Sequence, residues 1–408
     1  MFRKSRRVLA FVAAGALAIT LAACSASPDS STEPEADSVE KVTIGFVGSL
    51  TGPLAASGIN SLAGLKAGAE YAESLHEGLT VEIVERDTAG ETTAAVAQTR
   101  ELAQLGATAI FFTTEAFPAV QGVLNQVKIP GSTSGGIAAV LADTGDNRLY
   151  KYAFSTSAGN AGPTAVTPLI DHAAEFGDKI GVIDDASAFA VAQADLTVKL
   201  IAADYPDLEV VRASFPATSS DVTAQIGQLR DAGVDSVIAW PYGTPAVTLM
   251  TAFDKLGWYP PMSGTLGLGT PAIVEVTPAA LAKTLAAGPM AKTFLNPAKE
   301  GSPEADLHAA FVTGYLKALD KDTFGPLDTV GANSFDWSVL IAQAVTDKGT
   351  TDGDTIKSYL TSGQPFVGVN GTYVFGPDKR IGIDADGLQM YSPTGPCSID
   401  GFCTVVGG

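Results

Sequence analysis

The sequence predicts an α/β protein made of two doubly wound halves, and three observations carry that expectation. Apolar runs of strand length alternate with stretches of helical period, and the series stops near Leu149 and then starts again. About 370 residues follow an acidic stretch poor in apolar side chains, more than one core usually takes. With apolar residues at 46% and charged ones at 17%, a large core is expected.

The first strand, 42–47, is Val-Thr-Ile-Gly-Phe-Val, apolar on both faces as in a parallel sheet covered on each side by helices. A helix follows, with Ile59, Leu62, Leu65, Ala69, Ala72 and Leu75 spaced by three and four. Next come a strand over 80–86, a helix carrying Val96, Thr99, Leu102 and Leu105, a strand over 107–112, a helix over 116–127 and a short strand over 129–132. The second series begins with a strand over 179–184, a helix over 187–204 and a strand over 208–215. It continues with the helix of Val222, Ile226 and Leu229, a strand over 236–240 and a helix over 245–256. Helices over 304–319 and 328–346 and a strand over 372–375 remain to be shared between the halves.

In open parallel sheets a ligand lies outside the carboxyl ends of the strands, where the strand order reverses. The loops there, 48–57, 113–117, 131–137, 184–189, 241–245 and 263–270, are mostly Gly, Ser and Thr leading into helix starts. Thr113, Thr114 and Glu115, with Ser134, Gly135 and Gly136, are the best candidates for gripping a polar head group; the alternative for each hydroxyl is simple helix capping. Phe117, Phe189, Trp240 and Tyr242 lie at the same edge, as core or as ligand wall.

The ends of the chain concern location. Arg3, Lys4, Arg6 and Arg7 precede an apolar run closing on Leu21-Ala22-Ala23-Cys24, which resembles the lipobox of bacterial lipoproteins. Residues 1–23 are thus an expected signal peptide, Cys24 an expected lipidation site, and 24–40 an acidic flexible tether. Cleavage removes four positive charges, moving the net charge from -19 to about -23, which disfavours nucleic acid as a partner. Cys397 and Cys403 read as a disulfide closing a small loop in an exported protein.

Signals for catalysis fail. His76, His172 and His308 have no metal spacing and are expected at solvated helix positions, so neither a metal nor a cofactor is expected. Gly131-Ser132-Thr133-Ser134-Gly135 imitates a nucleophile elbow, but with Thr133 at its centre and no histidine at a credible strand end. No enzyme activity is expected.

The run Val42-Thr43-Ile44-Gly45-Phe46-Val47-Gly48-Ser49-Leu50-Thr51-Gly52-Pro53 resembles the opening of the leucine/isoleucine/valine-binding family of ABC-transporter receptors. The resemblance extends through Asp87, Lys128-Ile129-Pro130, Phe154-Ser155-Thr156, Gly162-Pro163 and Ala232-Gly233-Val234-Asp235. It implies a type I periplasmic binding fold with a hinge of three crossovers. The lobes are then 41–157 with 287–365, and 158–286 with 366–408. It also implies closure on an amino acid or related small solute, an ABC permease and its ATPase as partners, a monomer, and an extracytoplasmic position anchored by lipid to the outer face of the cell membrane.

Carried over by residue, the resemblance puts the carboxylate-binding hydroxyl at Thr113 and its paired backbone contact at Gly135. A second hydroxyl falls at Ile137, the first-lobe aromatic at Ser57, and the second-lobe aromatics at Phe189 and Tyr242. The acid that receives an α-ammonium falls near Thr265 or Leu266, neither of them charged, and Glu115 is the substitute available from the other lobe. The expected ligand is a small polar solute, an amino acid, carboxylate or amide, with branched-chain amino acids disfavoured. The competing class is a sensory or scavenging receptor of the same fold working with a separate signalling partner. A sensor fused to its output is expected to show a C-terminal membrane span, and none precedes Gly408.

Overall fold

The computed structural model describes residues 39–52, 55–133, 135, 150–157, 162–241, 243–395 and 397–405. The signal peptide, Cys24, most of the tether, and Ser134, Gly136, Ile137 and Tyr242 lie outside the described residues. Val39 and Glu40, expected in the tether, join the compact unit. Val39 packs on the core, and the Glu40 carbonyl accepts the Thr80 N–H at 2.8 Å.

The first sheet is parallel, in the order β2-β1-β3-β4. Its strands are β1 (Lys41–Gly48), β2 (Thr80–Asp87), β3 (Ala109–Phe112) and β4 (Gly131–Thr133). Helices α1 (Ala55–Leu75), α2 (Thr92–Gln104) and α3 (Phe117–Val127) supply the crossovers. Every residue of β1 after Lys41 is buried, as its two apolar faces require.

The second sheet runs β12-β9-β8-β7-β5-β6. It contains β5 (Lys179–Asp184), β6 (Glu209–Ser214), β7 (Ser236–Ala239), β8 (Met262–Gly264), β9 (Leu285–Ala291) and β12 (Leu388–Tyr391). Its pairs are parallel except β12 on β9. The accompanying helices are α4 (Pro163–Ala174), α5 (Ala188–Asp204), α6 (Thr223–Asp231) and α7 (Thr244–Leu256).

Helices α8 (Pro303–Leu319) and α9 (Gly331–Lys348) return to pack on α1. They are followed by α10 (Gly353–Leu360) and the hairpin of β10 (Pro365–Gly368) and β11 (Gly371–Val374), which packs on α8 and α9. Among the described residues three crossovers join the sheets: one leaves by 155–157 after β4, one by 292–302 after β9, and one by 375–387 after β11. The first and third meet in a parallel bridge between Ser155 and Ile381. Beside the second, Phe294 packs 5.9 Å from Phe311 on α8 and 6.0 Å from Phe324, continuing one apolar core between the halves.

Two segments sit differently from the expected lobe division. All of β9 hydrogen-bonds into the second sheet, although the division cut it at 287. The hairpin beyond 365 lies instead with α8 and α9, whose apolar faces it covers. Helix α9 starts at Gly331 rather than at 328, because Pro326–Val330 forms a tighter 3₁₀ turn.

Candidate functional site

Strand order fixes where a ligand-binding crevice opens. In the first sheet the direction of winding reverses between β1 and β3, and in the second between β5 and β7. The chain just beyond those strands carries Ser49 and Thr113 on one side, Asp185 and Trp240 on the other.

At the first switch point Ser49 and Thr113 are fully buried, and both donate to the same carboxylate oxygen, Glu115 Oε1, at 2.7 Å. Thr88 Oγ1 lies 3.3 Å from Ser49 Oγ and accepts the Gly90 N–H, so its own hydrogen is free to point along the same chain. Helix α3 has Ala116 at its N-cap and no side-chain cap, so the Thr113 hydroxyl is not spent on capping.

Asp87 fastens the neighbouring loop. Its carboxylate accepts the Leu50 and Ala89 N–H groups at 2.8 Å and the Thr51 hydroxyl at 2.7 Å. The Thr51 hydrogen bond first, then the Ala89 N–H, pull its pKa down to about 2.

Backbone packing explains the glycines of this corner. A Cβ on Gly48 would stand 2.5 Å from Thr113, one on Gly58 would stand 1.8 Å from the Ser49 carbonyl, and one on Gly135 would stand 2.2 Å from Thr114 Oγ1. Gly135 is thus brought against exposed Thr114, while Ser57 stands exposed in the first turn of α1.

At the second switch point Asp184 is fully buried and tied to Arg212, with nitrogens at 2.9 and 3.0 Å, and to the Ser214 hydroxyl at 2.6 Å. Ala186 follows with φ at 58°, unusual for a residue with a side chain. This turn lets Asp185 accept the Ser187 N–H at 3.0 Å, while Ser187 caps α5 at Ala190.

Phe189, in the first turn of α5, is 52% exposed and meets Trp240 edge-on at 6.4 Å. Trp240 is 3% exposed and donates its indole N–H to Thr197 at 3.1 Å, and Phe117 is fully buried against Phe112. Of these aromatics, Phe189 is the one open to a ligand. Thr265 is half-buried just past β8, and its hydroxyl oxygen is buried without a partner among the described residues.

Ser49 and Asp185 were not singled out from the sequence, although both loops were. The missing signal is strand order, which tells switch-point loops from the rest and is not written in one chain's residues.

The histidines need correction. His172 and His308 are 8% and 6% exposed, not solvated. His172 is covered where α4 packs along β9 and β12. His308 is stacked at 4.4 Å on Phe402 of the C-terminal loop, closed by the disulfide Cys397–Cys403. Burial holds both imidazoles below their usual pKa. Among the described residues no group of three or more His, Cys, Asp or Glu is placed to hold a metal, and no helix is long and apolar enough to cross a membrane.

No curated protein matches the chain in sequence. Solved structures share its fold. An extracellular ligand-binding receptor from Rhodopseudomonas palustris HaA2 superposes with a TM-score of 0.69 at 19% identity, covering 89% of this chain and 99% of its own. The branched-chain amino acid transporter substrate-binding protein LivJ of Streptococcus pneumoniae, in complex with isoleucine, gives 0.64 at 20% identity, covering 86% and 96%. An ABC-transporter solute-binding protein from R. palustris HaA2, in complex with p-hydroxybenzoic acid, gives 0.65 at 19% identity, covering 86% and 92%. A family model described as periplasmic binding protein matches residues 41–388, nearly the whole folded body, and with the two switch points and three crossovers this chain belongs to the type I periplasmic binding protein family.

Proposed function

We propose that the chain is the solute-capturing subunit of an ABC importer, which takes up a small polar solute (an amino acid, carboxylate or amide) between its lobes and delivers it to a permease driven by an ATPase. It works as a monomer outside the cell, held to the outer face of the membrane by lipid on Cys24, and performs no chemistry on its cargo. The observation that carries this reading is the pair of switch points, one lined by Ser49, Thr113 and Glu115 and the other by Asp185 and exposed Phe189. Structural relatives bound to isoleucine and to p-hydroxybenzoic acid support a solute of that size. A ligand that touches both lobes stabilises the closed form by its differential affinity, and the permease reads that form.

The test is thermal unfolding of the full chain against amino acids, carboxylates, amides and ureas. A solute at a hundredfold its Kd adds about 2.7 kcal/mol to the folded state and raises the midpoint. Loss of that shift in Thr113→Ala and Tyr242→Ala supports the reading, and a panel that shifts nothing rejects it.

A further inference from the structure

The crossovers must bend when two such lobes move against each other, and the first of them is tied down by a buried hydrogen-bonded cluster. Fully buried Thr156 donates its hydroxyl to the Asn333 carbonyl on α9 at 2.6 Å and its N–H to Ser132 Oγ at 3.2 Å. Its carbonyl has one donor among the described residues, the Tyr373 hydroxyl of β11.

That tie rests on a single hydrogen, because the Tyr373 oxygen also lies within hydrogen-bond distance of Asp336 Oδ2 and already receives the Asn370 side-chain amide. Asn370 is held in turn on Asn333 Oδ1 at 3.0 Å. With Asp336 protonated, the acid supplies the hydrogen it shares with Tyr373, and Tyr373 gives its own to Thr156. With Asp336 ionised, the carboxylate outcompetes a neutral carbonyl for the Tyr373 hydrogen, and Thr156 loses its donor.

Asp336 has no ion pair among the described residues, and the hairpin faces it with Tyr373, Asn370, the Val369 N–H and Gly368, none of them charged. Arg380, the cation of the third crossover beside this cluster, lies over the Phe154 ring. Burial, then the neighbouring carboxylate, hold the Tyr373 pKa well above its ordinary value, so Tyr373 keeps its hydrogen. Burial pushes Asp336 up to about 6, so the charge that moves in mildly acidic solution is its own.

Resting on the solute-binding reading above, we propose that Asp336 and Tyr373 form a proton-operated latch on the hinge. In acid, Tyr373 ties Thr156 and stiffens the first crossover. Toward neutral pH the ionised Asp336 takes that hydrogen, frees the crossover and eases lobe motion, so that solute capture answers to pH through residues outside the crevice.

The experiment is hydrogen–deuterium exchange on the full chain without solute, at pH 5 and pH 7.5, with rates corrected for the intrinsic effect of pH. Amides of 154–157 report the crossover, and amides of β5 and β7 report the stability of the whole fold. Between pH 5 and 7.5, wild-type protection over 154–157 should fall roughly three- to tenfold more than in β5 and β7, the worth of one hydrogen bond. Asp336→Asn, whose amide donates to Tyr373 as the protonated acid does, should keep the crossover protected at both values. Tyr373→Phe should leave it weakly protected at both, and stands as the second variant should Asp336→Asn fold poorly. A wild-type crossover that tracks β5 and β7, or a Tyr373→Phe protein that keeps the wild-type pH step, overturns the latch. Either result leaves the importer reading intact, because no solute is present.

Discussion

The phenolic oxygen of Tyr373 lies 2.7 Å from Asp336 Oδ2 and 2.9 Å from the carbonyl of Thr156, so a single hydroxyl hydrogen stands between two acceptors. The Asn370 side-chain amide donates to the same oxygen at 3.0 Å. If Asp336 holds a proton, it donates to Tyr373 and Tyr373 donates to Thr156, and every group is satisfied. The network links the hairpin, helix α9 and the first crossover.

That arrangement sets a pH dependence. Asp336 is fully buried, and burial pushes its pKa from 3.8 up to about 6, against the opposing pull of the Tyr373 hydroxyl and the Val369 and Asn370 N–H groups. The folded state therefore binds this proton more tightly than the unfolded chain. The stabilisation is complete below about pH 4 and is lost as pH rises through 6, a change of about 3 kcal/mol. Denaturant unfolding of wild type and Asp336→Asn between pH 4 and 7 measures it. The stability difference between them should fall by about that amount, and a flat difference would disprove the assignment.

Helices α1 and α9 approach through glycine. A Cβ on Gly64 would sit 2.0 Å from the Gly331 carbonyl oxygen, and one on Gly68 would sit 2.4 Å from that of Phe335. Both obstacles are backbone and cannot swing away. Gly64→Ala or Gly68→Ala should lower stability by about 1–3 kcal/mol, although alanine is the better helix former. Gly122 in α3 meets nothing within 4 Å, so Gly122→Ala should gain up to about 1 kcal/mol. Melting midpoints moving in the same direction for all three would contradict the packing argument.

The alternation that predicts two doubly wound halves was legible because β1, β5 and β7 are runs of large or branched apolar residues. The strand β9 was not legible: Leu-Ala-Ala-Gly-Pro-Met-Ala has no β-branched residue, yet all seven are buried. Its place comes from tertiary pairing with β8 and β12, and the expected lobe boundary fell inside it for that reason. At the site, Thr113 and Glu115 were found from their position after a strand, whereas the second donor to Glu115 Oε1, Ser49, lies 64 positions before Thr113 and is brought close by β1–β3 pairing. Buried His308 was misread because α8 looks amphipathic alone, and the C-terminal loop that covers it comes from the other end of the fold.

Closing seven residues with the Cys397–Cys403 disulfide holds Phe402 on His308 and the Asp400 carbonyl 3.0 Å from His308 Nε2. Opening so short a loop by Cys397→Ser with Cys403→Ser should cost about 2 kcal/mol, the chain-entropy value for that length. Solute affinity should be unchanged, because Phe402 and Asp400 of the loop contact His308 on α8. Calorimetry on the double variant reads both quantities, and a large loss of affinity would count against that separation.

Phe189 and Trp240 touch but differ in what they support. Trp240 is 3% exposed, with its indole N–H bound to Thr197, so Trp240→Ala should remove about 3–5 kcal/mol of stability. Phe189 is about half exposed in the first turn of α5, and little of the fold depends on its ring. Phe189→Ala should therefore change stability by no more than about 1 kcal/mol. If the ring is a wall of the solute crevice, the same change should weaken binding at least about fivefold, as truncation of a contacting aromatic does. Midpoint and Kd measured together on the two variants separate the roles, because a Phe189→Ala protein that melts and binds like wild type would remove this residue from the site.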